Sequence, residues 1–278
     1  MSLAALVVAL AAAQVPPARS RPRDPWVFRS VLDEKPRMVT FALNDEMWVA
    51  YDATTCALYK AWKGGVHCDG AVYTTVHGPQ PTSEGTSYTD GTDGTDGSGG
   101  SGGPGGTGGA AWEVFVGDKL VDSKPRWKGY VFHDGRCTMN FELELPDGRR
   151  VGVLETPEFA RPEDLFQDEE IESWVLKRGA PGLLRSFLVS EIPDDVKIAL
   201  RVRTDGATSK LCELEERATT EEKGGATRAY THVVLNAGKR MNNLILFFAP
   251  MAAAKPGDAA KPADAAKPGQ PAKDGDKK

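Results

Sequence analysis

Apolar positions along this chain come in short runs closed by turn residues, which is the pattern of β-strands rather than of amphipathic helices. Residues 39–43 precede Asn44-Asp45, residues 47–51 follow it, and residues 57–62 precede Gly64-Gly65, so hairpins are expected at both places. The run Val72-Tyr73-Thr74-Thr75-Val76 adds a strand that Gly78-Pro79 stops. Residues 137–145 alternate most clearly: Met139, Phe141, Leu143 and Leu145 interleave with Asn140, Glu142 and Glu144, as in a strand with one buried face. Pro146-Asp147-Gly148 turns the chain into a return strand at 149–155. Further strands are expected at 112–116, 130–133, 183–189, 196–202, 211–215, 230–235 and 244–249. Only 162–177 has helical possibilities, and its apolar residues fit a 3.6-residue period poorly, so at most one short helix is expected there. The expected fold class is all-β, an antiparallel β-sandwich.

Three segments fall outside this pattern. Residues 1–20 hold an apolar run at 3–13 with small residues at Ala11 and Ala13, the layout of a secretory signal peptide cut after Ala13, and a proline-rich leader follows. Residues 83–110 form a Gly/Thr/Asp-rich tract whose side chains bury little and whose glycines make ordering entropically costly, so a solvated loop is expected. Its Gly-Thr-Asp repeats lack the spacing of a calcium loop. From 251 to 278 a repeat of alanine, lysine and proline blocks helix formation and stays solvated, giving a disordered tail. Residues 24–250 then form one β-sandwich domain interrupted by the 83–110 loop.

A formal net charge of −5 over 278 residues supplies no basic footprint for nucleic acid, and no apolar stretch is long enough to span a membrane as a helix. Export, to a periplasm or the extracellular space, makes an even cysteine number meaningful. Cys56, Cys68, Cys137 and Cys212 permit three disulfide connectivities, with Cys56 and Cys68 flanking the expected turn at Gly64-Gly65. Buried thiols are the equal alternative. His67, His77, His133 and His232 show no ligand spacing, no Gly-rich loop opens a helix, and no Cys begins a C-x-x-C-H motif. No metal and no cofactor is therefore expected.

The strings PWVFRSVLDEKPRM, WVAYDATTCALYKAWKGGV and DGAVYTTVHGPQPT, between residues 24 and 82, resemble the N-terminal, non-haem module of large secreted bacterial c-type cytochromes, some associated with sugar dehydrogenases. The similarity continues through PRWKGYVFHDGRCTMNFELELPDGRRVGVLETPEF to about residue 160. It implies a secreted β-sandwich that accompanies redox proteins acting on organic substrates, with a glycan or a separately encoded cytochrome as partner. Because the similarity lies on both sides of the 83–110 tract, that tract reads as a long insertion in a surface loop, which loop-closure entropy tolerates.

Candidate chemistry is sparse. His77 ends an expected strand and Glu155 ends another; meeting at one rim, they would make an acid–base pair on a sugar hydroxyl, as in an enzyme of the mutarotase-like large-sandwich type. The alternative for each is a turn-stabilising histidine and a solvated strand end. Trp48, Tyr51, Tyr59 and Trp62 offer either a stacking platform for sugar rings or ordinary core packing. Arg29, Asp33, Arg37 and Lys63 are either structural ion pairs or ligand contacts. The leading expectation is a secreted, non-catalytic module that binds a glycan or a partner protein; the alternatives are the His77/Glu155 enzyme and a docking subunit of an extracytoplasmic redox complex.

Overall fold

The structure, a computed structural model, describes residues 25–68, 79–90, 111–173, 178–203, 207–212, 216–223, 226–238 and 241–248. The expected signal peptide, the strand at 71–76, His77, most of the glycine tract and the C-terminal tail lie outside the described residues. In chain order the elements are β1 (Trp26–Leu32), β2 (Lys35–Ala42), β3 (Trp48–Asp52), β4 (Ala57–His67), β5 (Thr82–Asp90), β6 (Trp112–Val116), β7 (Lys119–Val121), β8 (Lys124–His133), β9 (Arg136–Glu144), β10 (Arg150–Ala160), α1 (Pro162–Leu165), α2 (Asp168–Ser173), β11 (Gly182–Val189), β12 (Val196–Arg203), β13 (Ala207–Cys212), β14 (Glu216–Lys223), β15 (Ala226–Leu235) and β16 (Asn242–Phe248). The protein is all-β, and its strands form three antiparallel sheets. The first runs β1-β2-β3-β4-β5, the second β13-β16-β11-β10-β9-β8, and the third β14-β15-β12-β6-β7.

Alternation along the strands builds one core shared by all three sheets. Val39, Phe41, Val49 and Tyr51 come from the first sheet, Met139, Phe141, Val153 and Phe187 from the second, and Trp112, Val114, Ile198 and Val233 from the third. Strand β9 has the expected form, with Cys137, Met139, Phe141 and Leu143 buried and Asn140 exposed. Strands β2 and β3 read as nearly continuous apolar runs because both faces are covered. On their other face Leu32, Met38, Trp48 and Trp62 make a second, smaller core.

Trp112 sits where the sheets meet. Its ring packs 5.2 Å from Phe141 and 6.2 Å from Phe187, and its indole N–H donates to the Cys56 carbonyl at 3.0 Å. Close by, the Arg185 guanidinium donates to Glu155 Oε1 at 2.6 Å, and the Tyr51 hydroxyl donates to the same oxygen at 2.8 Å. Both charged side chains are fully buried. Burying an ion pair is costly unless hydrogen bonds accompany it; here Arg185 also lies over the rings of Tyr51 and Phe187.

Turns follow the expected chemistry in two hairpins. Asn44 Oδ1 accepts from the Glu46 and Met47 amides at 2.9 Å, closing β2 onto β3. Asp147 Oδ1 accepts from the Arg149 amide at 3.0 Å in the turn between β9 and β10. The helical segment resolves into two short turns, α1 and α2, rather than one helix.

Four expectations change. Gly64-Gly65 is not a turn but lies inside β4, opposite Gly85 and Glu84 of β5. Gly64 and Gly85 hold φ of +140° and +109°, and a Cβ on Gly64 would stand 2.1 Å from the Glu84 carbonyl oxygen, so only glycine admits this approach. Cys56 therefore precedes and Cys68 follows one bulged strand of 11 residues, which holds them on the order of 30 Å apart, far beyond disulfide reach. Residues 83–90 belong to β5, not to the loop: Asp33 accepts from the Ser83 amide at 2.7 Å and the Ser83 hydroxyl at 2.8 Å, which ties β5 to the β1–β2 turn. Glu155 is no solvated strand end, because β10 continues through Pro157 to Ala160. Beyond Glu155 the β10 ladder pairs with β11 alone, leaving one side where a proline's missing N–H breaks nothing.

Arg185→Met strands the Glu155 carboxylate unpaired in the core and is expected to lower stability by about 3–5 kcal/mol, against about 1–2 kcal/mol for Tyr51→Phe. Urea unfolding measures both, and an Arg185→Met loss no larger than that of Tyr51→Phe would contradict the assigned role.

Cys56 and Cys137 are buried free thiols, and burial pushes each up to about 12 from 9.0, with Asp52 and then Glu155 adding to the effect at Cys56. The folded state thus holds two protons that the unfolded chain releases near pH 9.0, so their contribution is complete below that pH and is lost as pH rises towards about 12. Iodoacetamide at pH 8 is expected to spare both thiols in the native protein and to modify the exposed Cys68; Cys137→Ala is expected to flatten the stability loss above pH 9. Rapid native-state alkylation of Cys56 or Cys137 would refute the burial.

Candidate functional site

The residues singled out from the sequence do not assemble into one site. His77 lies outside the described residues. Glu155 is fully buried and held by Arg185 and Tyr51, so it has no face from which to reach a substrate. Trp48 and Trp62 stack on each other at 6.0 Å in the smaller core, whereas Tyr51 points into the shared core on the opposite face of the sheet. Tyr59 is half-buried and donates to Asp33 Oδ2 at 3.3 Å. Of the four polar residues among the family-like strings, Asp33 serves the β5 tether, with Lys60 Nζ at 3.8 Å.

A different surface collects chemistry: the outward face of the third sheet. The alternation that sends Trp112 and Val114 of β6 into the core turns Glu113 and Phe115 outward. On β12, Ile198 and Leu200 point in, which leaves Lys197 and Ala199 out; on β15, Val233 and Leu235 point in, which leaves His232 and Val234 out. Strand register then aligns Ala199 with Glu113 on one side and with Val234 on the other. Glu113 and His232 stand on strands two apart, about 10 Å between backbones, and the small Ala199 between them lets the side chains meet.

They do so in a hydrogen-bonded row. His232 Nδ1 lies 2.7 Å from Glu113 Oε2, and His232 Nε2 lies 2.8 Å from Thr219 Oγ1 of the neighbouring β14. The His232 side chain is 10% exposed and that of Glu113 20%, so the row is reachable yet shielded. Glu113 and His232 line a concavity of about 410 Å³ whose walls also include Phe115, Leu120 and Val234 on the apolar side and Lys197, Arg217 and Asp118 on the polar side. Arg201 stands opposite His232 in the β12–β15 register, and its guanidinium stacks 3.8 Å from the centre of the Tyr230 ring.

A carboxylate, an imidazole and a hydroxyl in line can bind a polyhydroxylated ligand, donating and accepting at neighbouring positions. The same three groups make up a nucleophilic triad, which also needs converging amide donors for an oxyanion. Thr219 lies within β14, an edge strand of the third sheet, where it is paired with Tyr230.

Sequence reasoning missed this row for an identifiable reason. Period-two alternation does mark Glu113 and His232 as outward-facing, between buried neighbours on each side. Nothing local says that β6, β12 and β15 lie side by side, and the charged string of β14 (ERATTEEK) carries no apolar signal at all. Among the described residues, no three or more His, Cys, Asp or Glu side chains are grouped to hold a metal ion, and no helix is long and apolar enough to cross a membrane.

No protein-family model matches the chain, and no curated protein is significantly similar to it.

Proposed function

We propose that this protein is an exported, non-catalytic binding module of the large antiparallel β-sandwich type, and that its ligand is a glycan held in the cleft on the third sheet. The observation that carries this is the hydrogen-bonded pair Glu113–His232 set beside Phe115, Leu120 and Val234 in one concavity of about 410 Å³, with Thr219 holding the far side of the imidazole. A sugar ring has a hydroxyl edge and an apolar C–H face, and this cleft supplies polar partners for the first and an aromatic and aliphatic wall for the second. The apolar run at 3–13 supports export.

A second reading, docking on a separately encoded cytochrome, is favoured by strand β8. It is an edge strand of the second sheet, and Tyr130, Val131 and Phe132 near its tip are 39%, 56% and 46% exposed. Exposed apolar side chains on a strand edge invite a partner.

The two readings separate on a glycan array combined with co-purification from the native host. Wild type is expected to bind one or more arrayed glycans. Ala199→Leu, which fills the cleft between Glu113 and Val234, and His232→Ala are expected to weaken that binding by about tenfold or more, with Val131→Asp/Phe132→Asp leaving it unchanged. Absence of glycan binding by wild type, together with loss of a co-purifying haem protein in the β8 variant, would replace the first reading with the second.

A further inference from the structure

We propose a second ligand site, for a tetrahedral oxyanion such as a sulfate or phosphate ester, in the concavity between β1 and β2. This concavity measures about 350 Å³ and is lined by Arg29, Ser30, Val31 and Arg37. It is far from the glycan cleft in the fold, lying on the first sheet, and stands independently of it.

The first observation is how the arginines are used. Arg126, Arg136, Arg149, Arg150, Arg161, Arg178 and Arg185 each pair with a carboxylate. Among the described residues, Arg29 and Arg37, like Arg217 of the other cleft, have no such partner, although the chain is acidic overall and Glu34 stands in the adjoining turn. Ser30, 5% exposed, carries a hydroxyl that likewise has no hydrogen-bond partner. Two guanidinium groups lining one hollow present a double positive charge and several N–H donors. One guanidinium already satisfies a planar carboxylate; two suit a dianion with three or four oxygens.

The second observation is strain in the backbone that carries Arg37. Ser30 pairs with Met38 and Leu32 with Lys35, so Val31 alone opposes Pro36 and Arg37, a β-bulge. Arg37 has φ of 59°, the left-handed conformation that glycine normally supplies in a bulge of this kind, and the Ala53 amide donates to its carbonyl at 3.0 Å. A bulge re-aims a side chain, and a residue other than glycine there is strained. Arginine at a position whose backbone favours glycine is accounted for when the guanidinium, not the backbone, is what the position supplies.

That opposition between stability and ligand binding makes the test selective. Isothermal titration at low, constant ionic strength would use sodium sulfate, sodium phosphate, glucose 6-sulfate, glucose 6-phosphate and, as the carboxylate control, sodium acetate. Wild type is expected to bind the tetrahedral ions and to bind acetate at least about tenfold more weakly. Arg37→Gly is expected to lose affinity by about tenfold or more while its melting temperature stays equal or rises, because the strain is relieved. Arg29→Gln, which leaves the backbone untouched, is expected to lose affinity to a similar extent, and Arg178→Gln, at a residue that lines neither concavity, to lose none. Tighter binding of one sugar ester than of its free ion identifies that ester as the source and supports the site. The proposal is overturned if wild type binds neither oxyanion, if Arg29→Gln keeps full affinity, or if Arg178→Gln loses as much as the other two variants.

Discussion

A charge pair with no solvent-exposed side-chain surface joins the first sheet to the second. Glu155 and Arg185 are completely buried, 2.6 Å apart, on neighbouring strands of the second sheet, and the Tyr51 hydroxyl of the first sheet closes on the same carboxylate oxygen. A hydrophobic residue at either position would be easier to bury, and what an ion pair adds is direction. A carboxylate must meet its guanidinium and its hydroxyl at particular angles, which fixes how the first sheet lies on the second. The link then passes on by packing: Arg185 over Phe187, Phe187 against Trp112, and Trp112 through its N–H to the Cys56 carbonyl. One string of side chains therefore ties together β3, β10, β11 and β6, taking in all three sheets.

Both proposed sites lie on what the shared core leaves outward. The third sheet spends one face on the core and presents the other as a cleft, where alternation alone delivers Glu113, His232 and Thr219 to the same side. The first sheet differs, since both of its faces are packed and Trp48 and Trp62 are consumed by the smaller core. Its remaining polar opportunity is at the rim, where the β1–β2 bulge lifts Arg37 out of the regular ladder. Both sites depend on register between strands, the property a rigid core protects.

Local patterns were readable in the sequence and distant ones were not. Strand β9 and its Pro146-Asp147-Gly148 hairpin are specified within about 20 residues by alternation and turn chemistry. Gly64-Gly65 misled because glycine serves a turn and a close strand crossing equally well, and only Gly85 on the opposing strand distinguishes them. Residues 83–90 resemble the glycine tract in composition, yet their backbone pairs with β4 and their anchor, Asp33, is 50 positions away. Glu155 looked solvated because Thr-Pro follows it; the partners that bury it come from residues 51 and 185. His232 carried a signal in its outward register, but its meaning required a carboxylate 119 positions earlier in the chain.

Native-state hydrogen exchange followed amide by amide tests the central claim, that the buried Glu155–Arg185–Tyr51 link makes the three sheets one cooperative unit. Amides in the centres of β3, β10, β11 and β12 are predicted to open only with global unfolding, at one common free energy, and to lose protection together in Arg185→Met. Exchange of the β1–β5 amides at a distinctly lower free energy than those of β10 and β11 in the wild-type protein would contradict it, since the first sheet would then open without the link that is supposed to hold it.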